Sequence, residues 1–259
     1  MTYFDQHVHT HYSFDSDAQM RDYLQQTKLP FVTTEHLEMS NPDDDKRDDK
    51  PDYPAYVAEQ KQLAQSCGNE FLRGIEVGYY EPRLDAIRNY LAAGDYDITL
   101  LSFHHDGSYD YQDTHFRDVE VQTQVVTYYE RMLVGLEKFH DADVLAHFDY
   151  GLRVLDVTPA QLAAWAGPLL KQIFARAVEY DLAFELNTKS MYRWRNLALY
   201  EYAIPLYLAA GGTLFTIGSD AHTGDAFRNH FADAQELLRQ NGVDKLAVYR
   251  KHTPTLVTF

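Results

Sequence analysis

Seven short runs rich in β-branched and aromatic residues alternate with longer stretches of helical periodicity, and that order restricts the chain to repeated βα units around a parallel sheet. The runs cover residues 3–8, 31–34, 71–77, 98–103, 144–147, 183–187 and 213–218. Between them the spacing predicts helices over 18–27, 55–67, 84–93, 123–139, 160–180 and 196–210, with a last one over 226–241. Thr158 before Pro159 reads as an N-cap and first-turn proline, while Gly68, Gly94 and the Gly211-Gly212 pair read as helix stops. No linker rich in Gly, Ser or Pro divides residues 1–259, so they are read as a single domain, a parallel β/α barrel. The charged stretch 41–52 is the main insertion and reads as a solvated surface loop.

Nearly every expected strand ends in a potential metal ligand. The first ends in His7-Val8-His9, where a period of two places both imidazoles on one face, about 6–7 Å apart. Asp15 follows in the next loop. The other strands end in or near His36, Glu76, His104-His105, His147 and Asp220-Ala221-His222. Ends of parallel barrel strands converge on one rim, which turns scattered polar residues into a site. Imidazoles and carboxylates suit Zn, Mn or Fe, and the single cysteine, Cys67, argues against a thiolate centre.

Taken in order, the segments HVHTHYSFDSD, TTEHLE, GIEVGY, SFHH, LAHFD, ELNT and GSDAH resemble the PHP (polymerase and histidinol phosphatase) family, and most of all its histidinol-phosphatase branch. The resemblance runs from His7 to His222 and implies a distorted seven-stranded β/α barrel holding two or three divalent cations. Carried over residue by residue, it implies that His7, His9, Glu76 and Asp220 hold one metal and that Glu76 bridges to a second held by His104 and His147. Asp15, His36 and His222 would hold a third. Glu35 stands where many relatives have Asp. The Ser-x-His pattern selects His104 as the ligand and leaves His105 as a rim residue or substrate contact.

The implied activity is that of a metal-dependent phosphomonoesterase converting L-histidinol phosphate to L-histidinol and phosphate. Such hydrolysis is among the slowest uncatalysed reactions, and clustered cations answer its demand for charge stabilisation and an acidified water. The expectation is that a hydroxide held between the Glu76-bridged cations attacks phosphorus, with Glu76, Asp220 and His222 as catalytic groups. Lys189, Arg193 and Arg195 follow the sixth strand, and the bidentate geometry of guanidinium makes Arg193 and Arg195 the candidate phosphate clamps. Glu38, Asp43, Asp44, Asp45, Asp106 and Asp149 are candidates for meeting the substrate's amine and imidazole. Two other readings compete: the same chemistry on phosphotyrosine, another small phosphate ester or a nucleotide, and a catalytically weak metal-binding module.

The formal charge of −16, with no Lys/Arg-rich stripe to reverse it locally, argues against a nucleic-acid partner. Neither a secretion signal nor a span of about 18 apolar residues is present, so the expected compartment is the cytoplasm and no membrane partner is expected. An apolar helix face reads the same whether its own barrel or a second subunit covers it, which leaves the oligomeric state open.

Overall fold

The computed structural model describes residues 2–259. Its helices are α1 (Met20–Leu24), α2 (Tyr53–Cys67), α3 (Leu84–Ala93), α4 (Val121–Lys138), α5 (Pro159–Glu179), α6 (Leu197–Ala209) and α7 (Phe231–Gln240). The strands are β1 (Phe31–Asn41), β2 (Arg47–Asp49), β3 (Phe71–Gly78), β4 (Ile98–Ser102), β5 (Val144–Leu145), β6 (Ala183–Asn187) and β7 (Phe215–Gly218), followed by a separate hairpin of β8 (Lys245–Arg250) and β9 (Thr253–Thr258). The architecture is α/β. Seven strands form one sheet in the order β2-β1-β3-β4-β5-β6-β7, parallel throughout except where β2 runs antiparallel to β1.

Every residue of β4, β6 and β7 is buried, as expected of strands in a parallel sheet whose faces are covered by crossover helices. Helices α4, α5 and α6 pack in succession along the outside. Phe148, Phe174, Phe184, Tyr200 and Tyr207 interlock beneath them, mostly edge to face. The expected start of α5 is found: Thr158 accepts from the Gln161 N–H, and the Gln161 side chain returns the bond in a capping box.

The count of seven strands agrees with expectation, but its membership differs. Residues 3–8 form no strand, and their place in the count is taken by β2 from the expected loop at 41–52. The N-terminal segment is held by side chains. Tyr3 Oη bonds both the carbonyl and the N–H of Ile217 (2.7 and 2.6 Å), and Gln6 bonds the Ala247 carbonyl and the Tyr249 N–H (both 2.8 Å). Only at residues 7–9 does its backbone pair. Thr34 N–H donates to the Val8 carbonyl (2.7 Å), while Asp220 and His9 donate across to His7 and Ala221 (2.9 and 2.8 Å). The segment therefore joins the end of β7 to β1 with a ladder too short to count as a strand, and this sets His7 and His9 between the two.

Helical ends also shift: α1 is shorter than the expected 18–27, and the last helix begins at Phe231 after a 3₁₀ turn, Gly224–Ala226. Cys67 is half-buried at the end of α2, its thiol donating to the Leu63 carbonyl. Among the described residues no helix is long and apolar enough to cross a membrane.

Candidate metal centre

The strands and the loops that follow them bring all nine expected ligands to one rim, around Glu76, which is fully buried. Its Oε2 lies 3.3 Å from His7 Nε2, 3.3 Å from His9 Nε2 and 3.1 Å from His36 Nδ1. Its Oε1 lies 2.6 Å from His147 Nε2 and 3.1 Å from His104 Nε2. One carboxylate thus faces imidazoles on both sides. Asp220 Oδ1 comes within 3.7 Å of His9 Nε2 and 3.4 Å of His222 Nδ1. Asp15 stands at the mouth, 3.5 Å from His36 Nε2 and 3.0 Å from His222 Nε2.

Several of these rings have their outer nitrogen already bonded. His7 Nδ1 lies 2.6 Å from Glu185 Oε1, His104 Nδ1 lies 2.6 Å from Glu38 Oε2, and His9 Nδ1 lies 3.1 Å from Ser13 Oγ. Ser13 Oγ gives its own proton to Glu35 Oε2 at 2.6 Å, so it accepts from His9. Glu35 also accepts from the N–H and hydroxyl of Thr10, which gives it a bracing role beneath the loop that carries Asp15. In the neutral ring, with Nδ1 donating, each of these Nε2 atoms turns a lone pair inward, where a metal ion could take it. Glu76 Oε2 and His36 Nδ1, 3.1 Å apart, are both buried without a hydrogen bond. Orphaned polar atoms of this kind are costly in an interior, and a donor set of imidazoles and carboxylates converging on them fits a divalent cation.

The carboxylates also draw positive charge onto this cluster. Burial pushes the Glu76 carboxyl up, but the imidazoles of His7, His104 and His36 outweigh it and hold the group well below the usual carboxylate range. Burial likewise opposes ionisation of Asp220, and Lys189, His7 and Arg153 overcome it. His104, lowered by burial but flanked by Glu76 and Glu38, is raised to about 9. Burial beside His36 and His222 drives His9 well below the usual imidazole value.

Two cations stand beside Asp220. Arg153, 4% exposed, follows the turn Tyr150–Leu152, and its Nη2 lies 3.0 Å from Asp220 Oδ2. Its Nε donates to Ser190 Oγ at 2.9 Å, and its guanidinium lies 4.5 Å over the Tyr150 ring. Lys189, at the start of a π-helical turn after β6, reaches Asp220 Oδ1 at 3.0 Å and His222 Nδ1 at 3.2 Å. Sequence reasoning passed over Arg153 because a lone Arg six residues beyond His147 carries no sign of burial. Glu38 was noticed only as a rim acid, and Glu185 only as part of a motif.

Of the expected substrate contacts, Arg193 is exposed and lines an outer pocket of about 250 Å³ with Lys189, Tyr192, Asp220, His222 and His230. Arg195 is exposed with φ 63° and does not line that pocket. His105 is no rim residue: it is buried, its Nε2 lies 2.9 Å from Glu38 Oε1, and its Nδ1 accepts from the Gly107 N–H. Glu38 and Asp149 are likewise buried, the latter accepting from Asn196 and Tyr200 (both 2.7 Å), while Asp106 caps the turn at Ser108 and Tyr109.

Fold and site together define a PHP-type protein, and the sequence family described as the PHP domain matches residues 5–189, so the chain belongs to that family. Relatives that match it along nearly their whole length include histidinol-phosphatases. It is 25% identical over 258 residues to the probable histidinol-phosphatase of Thermotoga maritima, covering 97% of this chain and 98% of that protein. It is 22% identical over 255 residues to the histidinol-phosphatase of Lactococcus lactis, covering 95% and 93%. Among solved structures, the L. lactis histidinol phosphate phosphatase, complexed with zinc, L-histidinol and phosphate, matches with a TM-score of 0.86 at 20% identity, covering 97% of this chain and 98% of that one. The putative histidinol phosphatase of Listeria monocytogenes matches at 0.70 with 15% identity, covering 88% and 98%.

Proposed function

We propose that this chain is a single-domain, metal-dependent phosphomonoesterase that hydrolyses L-histidinol phosphate to L-histidinol and phosphate in the cytoplasm. The observation that carries the chemistry is the Glu76 carboxylate, buried among five imidazoles with two cationic side chains a few residues' width away. Full-length kinship to histidinol-phosphatases supports the substrate.

In this reading His7, His9, Glu76 and Asp220 would hold one cation, Glu76 with His104 and His147 a second, and Asp15, His36 and His222 a third. Zn, Mn and Fe all suit these ligands. Divalent cations, when bound, supply Lewis-acid stabilisation of phosphoryl oxygens and bring the pKa of a water toward neutrality. The chain's own part is positioning. Arg153 and Lys189, paired to Asp220 in the free protein, offer a buried fork and a point charge to an arriving phosphate, and Arg193 waits at the mouth. Asp220 and His222 stand between the centre and the outer pocket, within reach of the oxygen of the departing alcohol. Tyr192 and His230, stacked at 3.9 Å in that pocket, offer a flat surface to an imidazole.

The test is phosphate release from L-histidinol phosphate by protein stripped of metal and reconstituted separately with Mn, Zn, Fe and Mg, with p-nitrophenyl phosphate as the control. Metal-dependent turnover of histidinol phosphate far above the control is expected. Turnover of the control alone would keep the metal phosphoesterase and discard the substrate.

A further inference from the structure

Two strand-end glycines make room for the carboxylates that orient two of the histidines. A Cβ on Gly78, at the end of β3, would lie 2.1 and 2.2 Å from the two carboxylate oxygens of Glu38 on the neighbouring β1. A Cβ on Gly218, at the end of β7, would lie 2.2 Å from Glu185 Oε1 and 2.5 Å from His7 Cβ. Neither glycine has a positive φ, so what each supplies is volume, not backbone freedom.

The two arrangements match. Each carboxylate is buried, each fills the space of the missing Cβ, and each sits 2.6 Å from the Nδ1 of a histidine facing Glu76. Glu185 Oε2 also accepts from the His147 N–H at 2.8 Å and from Asn187 Nδ2 at 3.2 Å, while Glu38 Oε1 lies 2.9 Å from His105 Nε2 with no hydrogen bond between them. A buried carboxylate is costly to keep, and these are kept where an Nδ1–H···carboxylate bond fixes the imidazole tautomer and leaves Nε2 free to ligate.

We infer that Gly78 with Glu38, and Gly218 with Glu185, are positioning pairs that fix the tautomer and orientation of His104 and His7 and so set metal affinity on the two sides of Glu76. The inference rests on the metal-centre reading above. Adding one methyl group at either glycine displaces the carboxylate and breaks the bond to the ring.

Zinc affinity, measured by competition with a chromophoric chelator on metal-stripped protein, tests this on Gly78→Ala, Glu38→Ala and the double variant, because the atoms nearest a Cβ on Gly78 all belong to Glu38 whereas one on Gly218 would also press on His7. Circular dichroism confirms that each variant is folded. Each single change is expected to weaken zinc binding about 10–100-fold. Glu38→Gln, whose amide oxygen still accepts from Nδ1–H, should lose less than Glu38→Ala. The double variant should bind no more weakly than Glu38→Ala alone, because the glycine acts through the carboxylate. Wild-type affinity in Gly78→Ala, or a double loss equal to the product of the single ones, overturns the inference. Should Gly78→Ala not fold, Glu38→Ala decides alone, and wild-type zinc affinity there overturns it. A wild-type chain that takes up no zinc, manganese or iron would instead sink the metal-centre reading, and this inference with it.

Discussion

The two ends of the parallel sheet carry the same kinds of titratable side chain and use them in opposite ways. At the N-terminal ends of the strands, Asp97 accepts from the Arg73 and Lys251 N–H groups (2.9 and 3.2 Å), and Asp143 accepts from the Thr99 N–H (2.7 Å) and from His252 Nδ1 (2.8 Å). Arg250 closes on Glu70 at 2.7 Å. These acids stitch neighbouring strands and the β8–β9 turn together, and the chain itself supplies their partners. At the C-terminal ends, Glu76 Oε2 and His36 Nδ1 are buried without a hydrogen bond. The contrast between His252–Asp143 and His36–Asp15 is instructive: both are His–Asp contacts, but the first His is 51% exposed and the second 9%. One end is completed by protein; the other converges imidazoles and carboxylates on points that could hold a cation.

The largest effect that follows is at Glu76. Glu76→Gln keeps the shape and removes the charge shared between the two sides, so kcat should fall on the order of a thousandfold, which steady-state assays with the best metal would show. Near-normal turnover with full metal content would erase the distinction between the two ends. The smallest effect is at the other end. His252→Ala should leave kcat unchanged and cost at most about 1 kcal/mol, since the pair is half-exposed and screened. Its hydrogen bond to Asp143 raises the His252 pKa. The pair's contribution is therefore fully present below about pH 6.5, the ordinary imidazole value, and is lost as pH rises through the raised folded value. The melting difference between wild type and His252→Ala should shrink from acid to alkaline pH, and a difference that grows instead would contradict the assignment.

How much of this the sequence revealed depends on whether a pattern was periodic or a contact was distant. Strands β3, β4 and β6 were legible within a residue or so because short runs carrying β-branched or aromatic residues and bounded by helix signals have few other readings. The candidate ligands, brought together in the structure, were legible because most of them stand at or just beyond the ends of expected strands. The segment 3–8 misled because its aromatic and apolar ends look strand-like, but its polar side chains bond other backbone and take the place of a ladder. The β8–β9 hairpin escaped notice because its two turn residues with positive φ are Lys251 and His252, where Asn and Gly would have announced it. Arg153, Glu38 and Glu185 were obscure for a third reason: a lone charged residue does not say from sequence whether it faces water or another residue's imidazole.

The most direct test of the central claim, that Glu76 lies between bound cations, is anomalous diffraction at the zinc edge from crystals of the zinc-reconstituted protein. Strong peaks on both sides of Glu76, one toward His7 and His9 and one toward His104 and His147, are the predicted result. Fully zinc-treated crystals with no peak within ligand distance of Glu76 would contradict it.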